Sequence, residues 1–201
     1  MTSTTPHRDR ETEALPAKGW LHRWPILAAI GLTALMAYGL SDGSELAPIV
    51  AASALVYLGA AALRKPAMAW PVFFGASAIL TVAKVLLAGE TGAAADAPTW
   101  VLLGVAVLVL IYGLLRGAAR PPEGLPLQAI AMAAFGTIAA IAVLVNDTLG
   151  GYLVAAGLFG HAAWDVYHHR INKVVVRSMA EFCFVLDTLL AVIIVIVTVR
   201  G

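Results

Sequence analysis

The stretch SMAEFCFVLDTLLAVIIVIVTV, residues 178–199, decides the fold. Its length matches the roughly 20 helical residues that cross the hydrocarbon core of a bilayer, and only Glu181 and Asp187 are charged. Six apolar blocks of similar length precede it, from about Trp24 to Leu40, Leu46 to Leu63, Met68 to Ala88, Thr99 to Leu115, Leu127 to Val145 and Gly151 to Tyr167. Because backbone polar groups must pair internally in lipid, and a membrane β-barrel would show short alternating segments instead, the blocks predict an all-α polytopic membrane protein with a bundle of seven transmembrane helices.

The overall composition excludes several classes of protein. Of the 201 residues, 61% are hydrophobic and 12% are charged, whereas a soluble domain is about half apolar and about a quarter charged. No basic patch with interleaved aromatic residues is present, so the sequence does not favour nucleic-acid binding. Cys183 is the only cysteine, so one chain forms neither an internal disulfide nor a zinc cluster built on cysteines.

The connections between the blocks alternate in charge. The first, third and fifth connections carry Asp or Glu but no Lys or Arg, and the second, fourth and sixth all carry Lys or Arg. The positive-inside rule then predicts a multi-pass protein of the cell membrane with a cytoplasmic N-terminus and an external C-terminus. Residues 1–19 are polar and contain prolines, which predicts a disordered cytoplasmic tail before a single transmembrane domain at 20–201.

Ionisable residues inside membrane helices are costly and usually functional, and here they concentrate in the last two blocks. His161, Asp165 and His168 have i, i+4, i+7 spacing, which places them on one helical stripe within an arc of about 60°. In the following antiparallel helix Asp187 lies about 15 Å from the start, Glu181 lies at the depth of Asp165, and His161 lies at a depth between Glu181 and Asp187. The spacing therefore predicts a polar site in the cytoplasmic half of these two helices.

The leading functional hypothesis is a metal-dependent hydrolase that acts on a lipid or small amphiphile. Imidazole and carboxylate groups are good ligands for zinc or another divalent metal, so His161, Asp165 and His168 are the candidate ligands. Asp187 and Glu181 are the candidate catalytic carboxylates, because a carboxylate beside a metal-bound water can act as a base. We expect this site to open towards the inner leaflet.

Other interpretations of the same residues remain open. A proton-coupled small-molecule transporter would use histidine and aspartate at graded depths, and a structural subunit of a larger membrane complex would have no chemistry of its own. His168 and its neighbours also suit the cytoplasmic end of a helix, in which case Asp165 would pair with a nearby arginine. Lys84 either belongs to a relay or extends to the outer interface, and the second interpretation is the simpler one. The oligomeric state is left open.

The segment HAAWDVYHH, residues 161–169, followed by Cys183-x-x-x-Asp187, resembles two groups of membrane proteins. One is an uncharacterised bacterial multi-pass family with a His-x-x-Trp-Asp-x-x-His-His segment and a later Cys-x-x-x-Asp segment. This resemblance covers about 40 residues and implies an integral membrane protein without implying an activity. The chain is also similar in style to the alkaline ceramidases and adiponectin receptors, which are seven-helix intramembrane hydrolases with a His/Asp zinc site. Their last helix carries two histidines, whereas residues 178–199 here carry none.

Overall fold

A computed structural model describes residues 23–87, 94–122 and 124–200, and the predicted tail at 1–19 lies outside these residues. Within the described ranges the chain forms helices and no β-strand. The α-helices are α1 (Trp24–Ala37), α2 (Ala47–Leu63), α3 (Ala69–Leu86), α4 (Ala97–Leu115), α5 (Leu125–Ala142), α6 (Asp147–Ile171) and α7 (Arg177–Arg200). Two short 3-10 helices, Gly43–Leu46 and Pro66–Met68, precede α2 and α3.

Each predicted apolar block corresponds to one of these seven helices, so the predicted all-α architecture is confirmed. Five of the helices, α2, α3, α4, α5 and α7, are long and apolar enough to cross a membrane. The helix α1 has only 14 residues, and α6 has 25 residues but is less apolar than the other five. The structure is therefore compatible with a multi-pass membrane protein.

Local signals set the helix ends that differ most from the predicted blocks. The helix α1 ends at Ala37 because the chain turns at Gly39, whose φ of 75° suits glycine. The helix α6 begins four residues before the predicted block because the Asn146 side chain accepts a hydrogen bond from the Leu149 backbone N–H at 3.0 Å. The same helix continues to Ile171 and ends where Asn172 adopts a left-handed φ of 49°.

The helix α2 is the centre of the bundle. All of its residues except Ala52 and Leu63 are buried, and α3, α4, α5 and α6 pack around it. Its alanines and glycine allow this close packing; a Cβ atom added at Gly59, for example, would lie 2.8 Å from a methyl group of Val72 on α3. The helices α6 and α7 form the most extensive pair, and α1 packs on α7. The polar residues of α6 and α7 therefore face a neighbour that is itself buried.

The connections separate by charge at the two ends of the bundle. One end, called here the acidic end, brings Asp42, Asp96 and Asp147 around one cavity. The other, called the basic end, brings Arg64, Lys65, Arg120 and Lys173 around another. The alternation seen along the sequence thus becomes a segregation of charge in space.

Tight packing at the acidic end positions the start of α2. Asp42 and Glu45 form a capping box, in which Asp42 Oδ1 accepts from the Ser44 N–H at 2.6 Å and Glu45 Oε1 accepts from the Asp42 N–H at 3.1 Å. A Cβ atom added at Gly43 would lie 2.5 Å from Ile194 Cγ2, so only glycine fits between this segment and α7.

Candidate functional site

Three buried side chains of α6 and α7 meet near the middle of the bundle. His161 Nδ1 lies 2.9 Å from Asp187 Oδ2 and 3.5 Å from Asp165 Oδ2. All three side chains are completely inaccessible to solvent. The turn-by-turn spacing on α6 and the matched depth on α7 therefore bring together two carboxylates and one imidazole, here called the His–Asp–Asp group.

Two hydroxyl groups on α2 hold the outer oxygens of these carboxylates. Tyr57 donates a hydrogen bond to Asp165 Oδ1 at 2.5 Å, and Ser53 donates to Asp187 Oδ1 at 3.3 Å. Ser53 and Tyr57 are four residues apart, so they occupy the same face of α2. Sequence reasoning missed both residues, because single hydroxyls in an apolar helix are common and their i, i+4 spacing was the one signal they offered.

His168 belongs to a different network, one turn towards the basic end. Its Nδ1 lies 3.0 Å from the Trp164 carbonyl oxygen and its Nε2 lies 3.0 Å from Gln128 Nε2. Because a carbonyl only accepts, Nδ1 carries the proton, and in the neutral ring Nε2 then accepts from the Gln128 amide. The Trp164 indole N–H donates to Gln128 Oε1 at 3.2 Å. Both ring nitrogens of His168 are occupied, so the structure does not bring this predicted ligand into the His–Asp–Asp group.

The two predicted catalytic carboxylates, Glu181 and Asp187, differ in their position relative to the group. Glu181, a predicted catalytic carboxylate, is half-buried on α7 and lies outside the group. Asp187, the other predicted catalytic residue, takes the third position in the group itself. The suggested pairing of Asp165 with an arginine is absent, since Tyr57 and His161 occupy that carboxylate.

The donor set of the His–Asp–Asp group fits a divalent metal. Tetrahedral zinc with bonds of 2.0–2.1 Å separates its ligand atoms by about 3.3 Å, close to the observed spacings of 2.9 and 3.5 Å. Asp165 Oδ2 is buried without a hydrogen bond and is thus available as a ligand. Two carboxylates and a neutral imidazole balance the charge of one divalent cation, and no Lys or Arg of the described residues forms an ion pair with either carboxylate.

The hydrogen bonds from Tyr57 and Ser53 are the outer support that such a site requires. Metal-ligating carboxylates are usually held by hydrogen bonds to their second oxygen, which fixes the oxygen that faces the metal. Each of the two aspartates here has one oxygen bound to an α2 hydroxyl and the other directed to His161. Among the described residues this is the one set of three or more His, Cys, Asp or Glu side chains close enough to share an ion.

An apolar cleft of about 350 Å³ approaches the group between α1, α2, α3 and α7. Ser53 and Cys183 line its inner part, and Glu45 and Lys84 line it at the acidic end. Ser53 therefore separates the cleft from Asp187, to which it donates a hydrogen bond. The expected opening towards the inner leaflet differs from this arrangement, because the cleft beside the group extends to the acidic end, which the charge rule predicts to be outside.

Lys84 and Cys183 contribute to the cleft rather than to the group. Lys84 is exposed in the last turn of α3 at the acidic end, as expected for a lysine that extends to an interface. Cys183 is buried, and its sulfur lies 3.5 Å from the sulfur of Met179.

The chain matches no protein-family model, no curated protein and no solved structure, so the resemblance of its last two helices to known membrane proteins rests on the motif alone.

Proposed function

We propose that all seven helices cross the cell membrane, with the N-terminus in the cytoplasm and the C-terminus outside. Five helices have the length and apolar character that a span needs, and α1 and α6 pack within the same bundle. The segregation of the acidic and basic connections to opposite ends supports this topology, because basic loops stay on the cytoplasmic side. In this arrangement the His–Asp–Asp group lies near the bilayer midplane.

We further propose that His161, Asp165 and Asp187 bind a divalent metal, zinc by preference, and that the protein hydrolyses a lipid or small amphiphile. The observation that carries this proposal is the convergence of three buried ligand atoms, one each from His161, Asp165 and Asp187, within 4.8 Å of one another. Catalytic zinc sites have three protein ligands and an open position for water, whereas structural zinc sites have four protein ligands. A metal bound there would supply a hydroxide at neutral pH and polarise the carbonyl of an ester or amide.

Asp187 is the carboxylate best placed to take the proton of that water. Its Oδ2 faces His161, and its Oδ1 accepts from Ser53, which lines the apolar cleft. Neither aspartate lines the cleft itself, but Asp165 is held by Tyr57, which does not line the cleft either. A substrate chain entering along the cleft would reach Ser53 first, so this serine and Asp187 would lie nearest to the bond that is cleaved.

Elemental analysis and hydrolysis assays test the proposal on the full chain purified in detergent. We expect about one zinc per chain in the wild type, a strong loss in Asp187→Asn, and wild-type content in the control Glu181→Gln, which removes a carboxylate outside the group. Long-chain esters and amides should be cleaved by the wild type and not by Asp187→Asn. An absence of metal in wild-type protein grown and purified with added zinc would refute the metal site.

The two other interpretations give different results in the same set of variants. A proton-coupled transporter would take up solute in proteoliposomes in an Asp187-dependent manner without bound metal. A structural subunit would tolerate alanine at His161 and Asp187, and deletion of the protein would destabilise its partner complex. Either outcome would replace the hydrolase proposal.

A further inference from the structure

A second cavity at the acidic end is unlike the apolar cleft in chemical character. It has a volume of about 520 Å³. Its polar lining consists chiefly of Asp42, Glu45, Asp96, Asp147, Lys84 and Thr99. Among the described lining residues, four carboxylates thus face one ammonium group, and this excess of negative charge attracts cations.

The charge of this cavity is not compensated within the described part of the chain. Glu45 and Asp42 are engaged in the capping box, but Asp96 and Asp147 form no hydrogen bond or ion pair with any described side chain. Partial burial and the neighbouring Asp147 carboxylate raise the pKa of Asp96 above its ordinary value. The protein therefore holds these two carboxylates close enough to repel each other, and a bound cation would relieve that repulsion.

Thr99 gives an independent indication that the cavity accepts a ligand. This residue is 1% exposed, lines the cavity, and its hydroxyl oxygen has no hydrogen-bond partner among the described residues. A buried hydroxyl without a partner destabilises the protein, so such a group calls for an explanation, and a position for a bound ligand is one. A ligand with an N–H donor would satisfy Thr99 and the nearby carboxylates together.

The spacing of the acceptors distinguishes the type of cation. Among the described residues only the His–Asp–Asp group has three ligand atoms close enough for one metal ion, so no three of the described carboxylates in this cavity can share one. A quaternary ammonium has no N–H to donate and is usually bound by aromatic rings, and none of the described lining residues is aromatic. A primary ammonium, which donates hydrogen bonds in several directions, fits the lining best.

The acidic cavity is continuous in its lining with the apolar cleft. Glu45, Pro48 and Lys84 border both of them. The cleft volume of about 350 Å³ is at the low end for small-molecule sites, which suits one hydrocarbon chain rather than two. The inner part of the cleft reaches Ser53, eight residues and about 12 Å of helical rise beyond Glu45.

We propose that the acidic cavity binds a primary ammonium group and that the apolar cleft holds the single hydrocarbon chain attached to it. The ligand is thus a cationic single-chain amphiphile. The inner part of the cleft reaches Ser53 beside Asp187, so this amphiphile is also the candidate substrate. That second statement rests on the proposed function. Its binding requires only the two cavities and does not require a metal.

Binding of tritiated dodecylamine to the immobilised full chain in detergent, with empty-detergent beads subtracted, tests this inference. We expect saturable binding that dodecanol and propylamine compete for only weakly, because each lacks one of the two required parts. The double variant Asp96→Asn/Asp147→Asn should weaken binding about tenfold or more, and Thr99→Val about three- to tenfold. The control Glu181→Gln removes a carboxylate outside the cavity and should leave binding unchanged.

Several results would overturn the inference. They are an absence of saturable binding, equal binding by the double variant, unchanged binding by Thr99→Val, or competition by propylamine as strong as that by dodecylamine. Thermal unfolding of each variant verifies that it is folded. The His161→Ala variant separates this inference from the proposed metal site, because it should lose the metal and retain dodecylamine binding. A folded wild-type protein that binds metal but no amine would refute the amphiphile inference and leave the metal site standing. Competition by a single-chain ethanolamine phospholipid would identify a membrane lipid as the source of the ammonium group. Competition by free long-chain amines alone would identify a soluble amine.

Discussion

Replacing Tyr57 by phenylalanine is the sharpest test of the His–Asp–Asp group as a metal site. The ring of Tyr57 is 1% exposed and packs edge-on against His161 and His168, with centroid distances of 5.3 and 4.8 Å. Phenylalanine keeps these contacts and removes only the hydroxyl that donates to Asp165 Oδ1 at 2.5 Å. The change therefore acts on the carboxylate without opening a cavity.

Two separate effects are expected in the Tyr57→Phe variant. Without metal, the loss of a partner for a buried carboxylate should lower the free energy of unfolding by about 1–3 kcal/mol. With metal, loss of an outer hydrogen bond to a ligand should weaken affinity about 10- to 100-fold, equivalent to about 1.4–2.7 kcal/mol. The stabilisation by a fixed excess of zinc should then shrink by the same amount, since it depends on the logarithm of the dissociation constant.

Equilibrium dialysis with zinc and thermal unfolding with and without zinc measure these two effects in the purified full chain. The matched control is Tyr152→Phe, because Tyr152 is 43% exposed at the start of α6 and lies away from the group. Wild-type zinc affinity in a folded Tyr57→Phe variant would refute the argument that Asp165 is a ligand positioned by α2. Equal loss in both variants would show that the effect is not specific to the site.

Three further variants test the remaining features. His161→Ala should abolish zinc binding in elemental analysis, whereas His168→Ala should retain zinc and only lower the stability measured by thermal unfolding. Loss of zinc in both variants would place His168 in the metal site. Gly43→Ala should lower the unfolding free energy by about 1–3 kcal/mol in denaturant titrations, because its Cβ would lie 2.5 Å from a methyl group, whereas Gly104→Ala has open space and should have little effect. Asp96 has a raised pKa in the folded chain, so the folded state binds this proton more tightly than the unfolded state and the protein gains stability from Asp96 as the pH falls. Asp96→Asn should therefore raise the melting temperature at neutral pH and reduce its dependence on acidification, and a melting temperature below that of the wild type would contradict this.

The helices and the convergence of the polar residues were largely predictable from the sequence. Apolar blocks of bilayer length and short charged connections indicate seven helices directly, and all seven are present in the described residues. The depth argument places His161 between Glu181 and Asp187, and the structure pairs it with Asp187, whose Oδ2 lies 2.9 Å from His161 Nδ1 although 26 residues separate the two. Helical rise alone predicts depth along an antiparallel pair, so this contact required no knowledge of the other helices.

The neighbours of the stripe on α6 were not predictable in the same way. His161 and His168 share the stripe, but the first faces α7 and the second is hydrogen-bonded to Gln128 on α5. Helical spacing places residues on one face of a helix without indicating which partner helix covers each turn of that face. The contribution of Ser53 and Tyr57 was hidden for a related reason, since nothing in an apolar helix indicates that it will be central to the bundle.

The central position of α2 has a consequence for how the chain is made. Synthesis proceeds from the N-terminus, so α2 is complete before α3, α4, α5 and α6, which pack around it, have been made. During that interval the hydroxyls of Ser53 and Tyr57 have no aspartate to bind, because Asp165 and Asp187 lie more than 100 residues later in the chain. The two hydrogen bonds therefore form only after α6 and α7 have been made, and the same bonds that orient the aspartates also join an early helix of the chain to its last two.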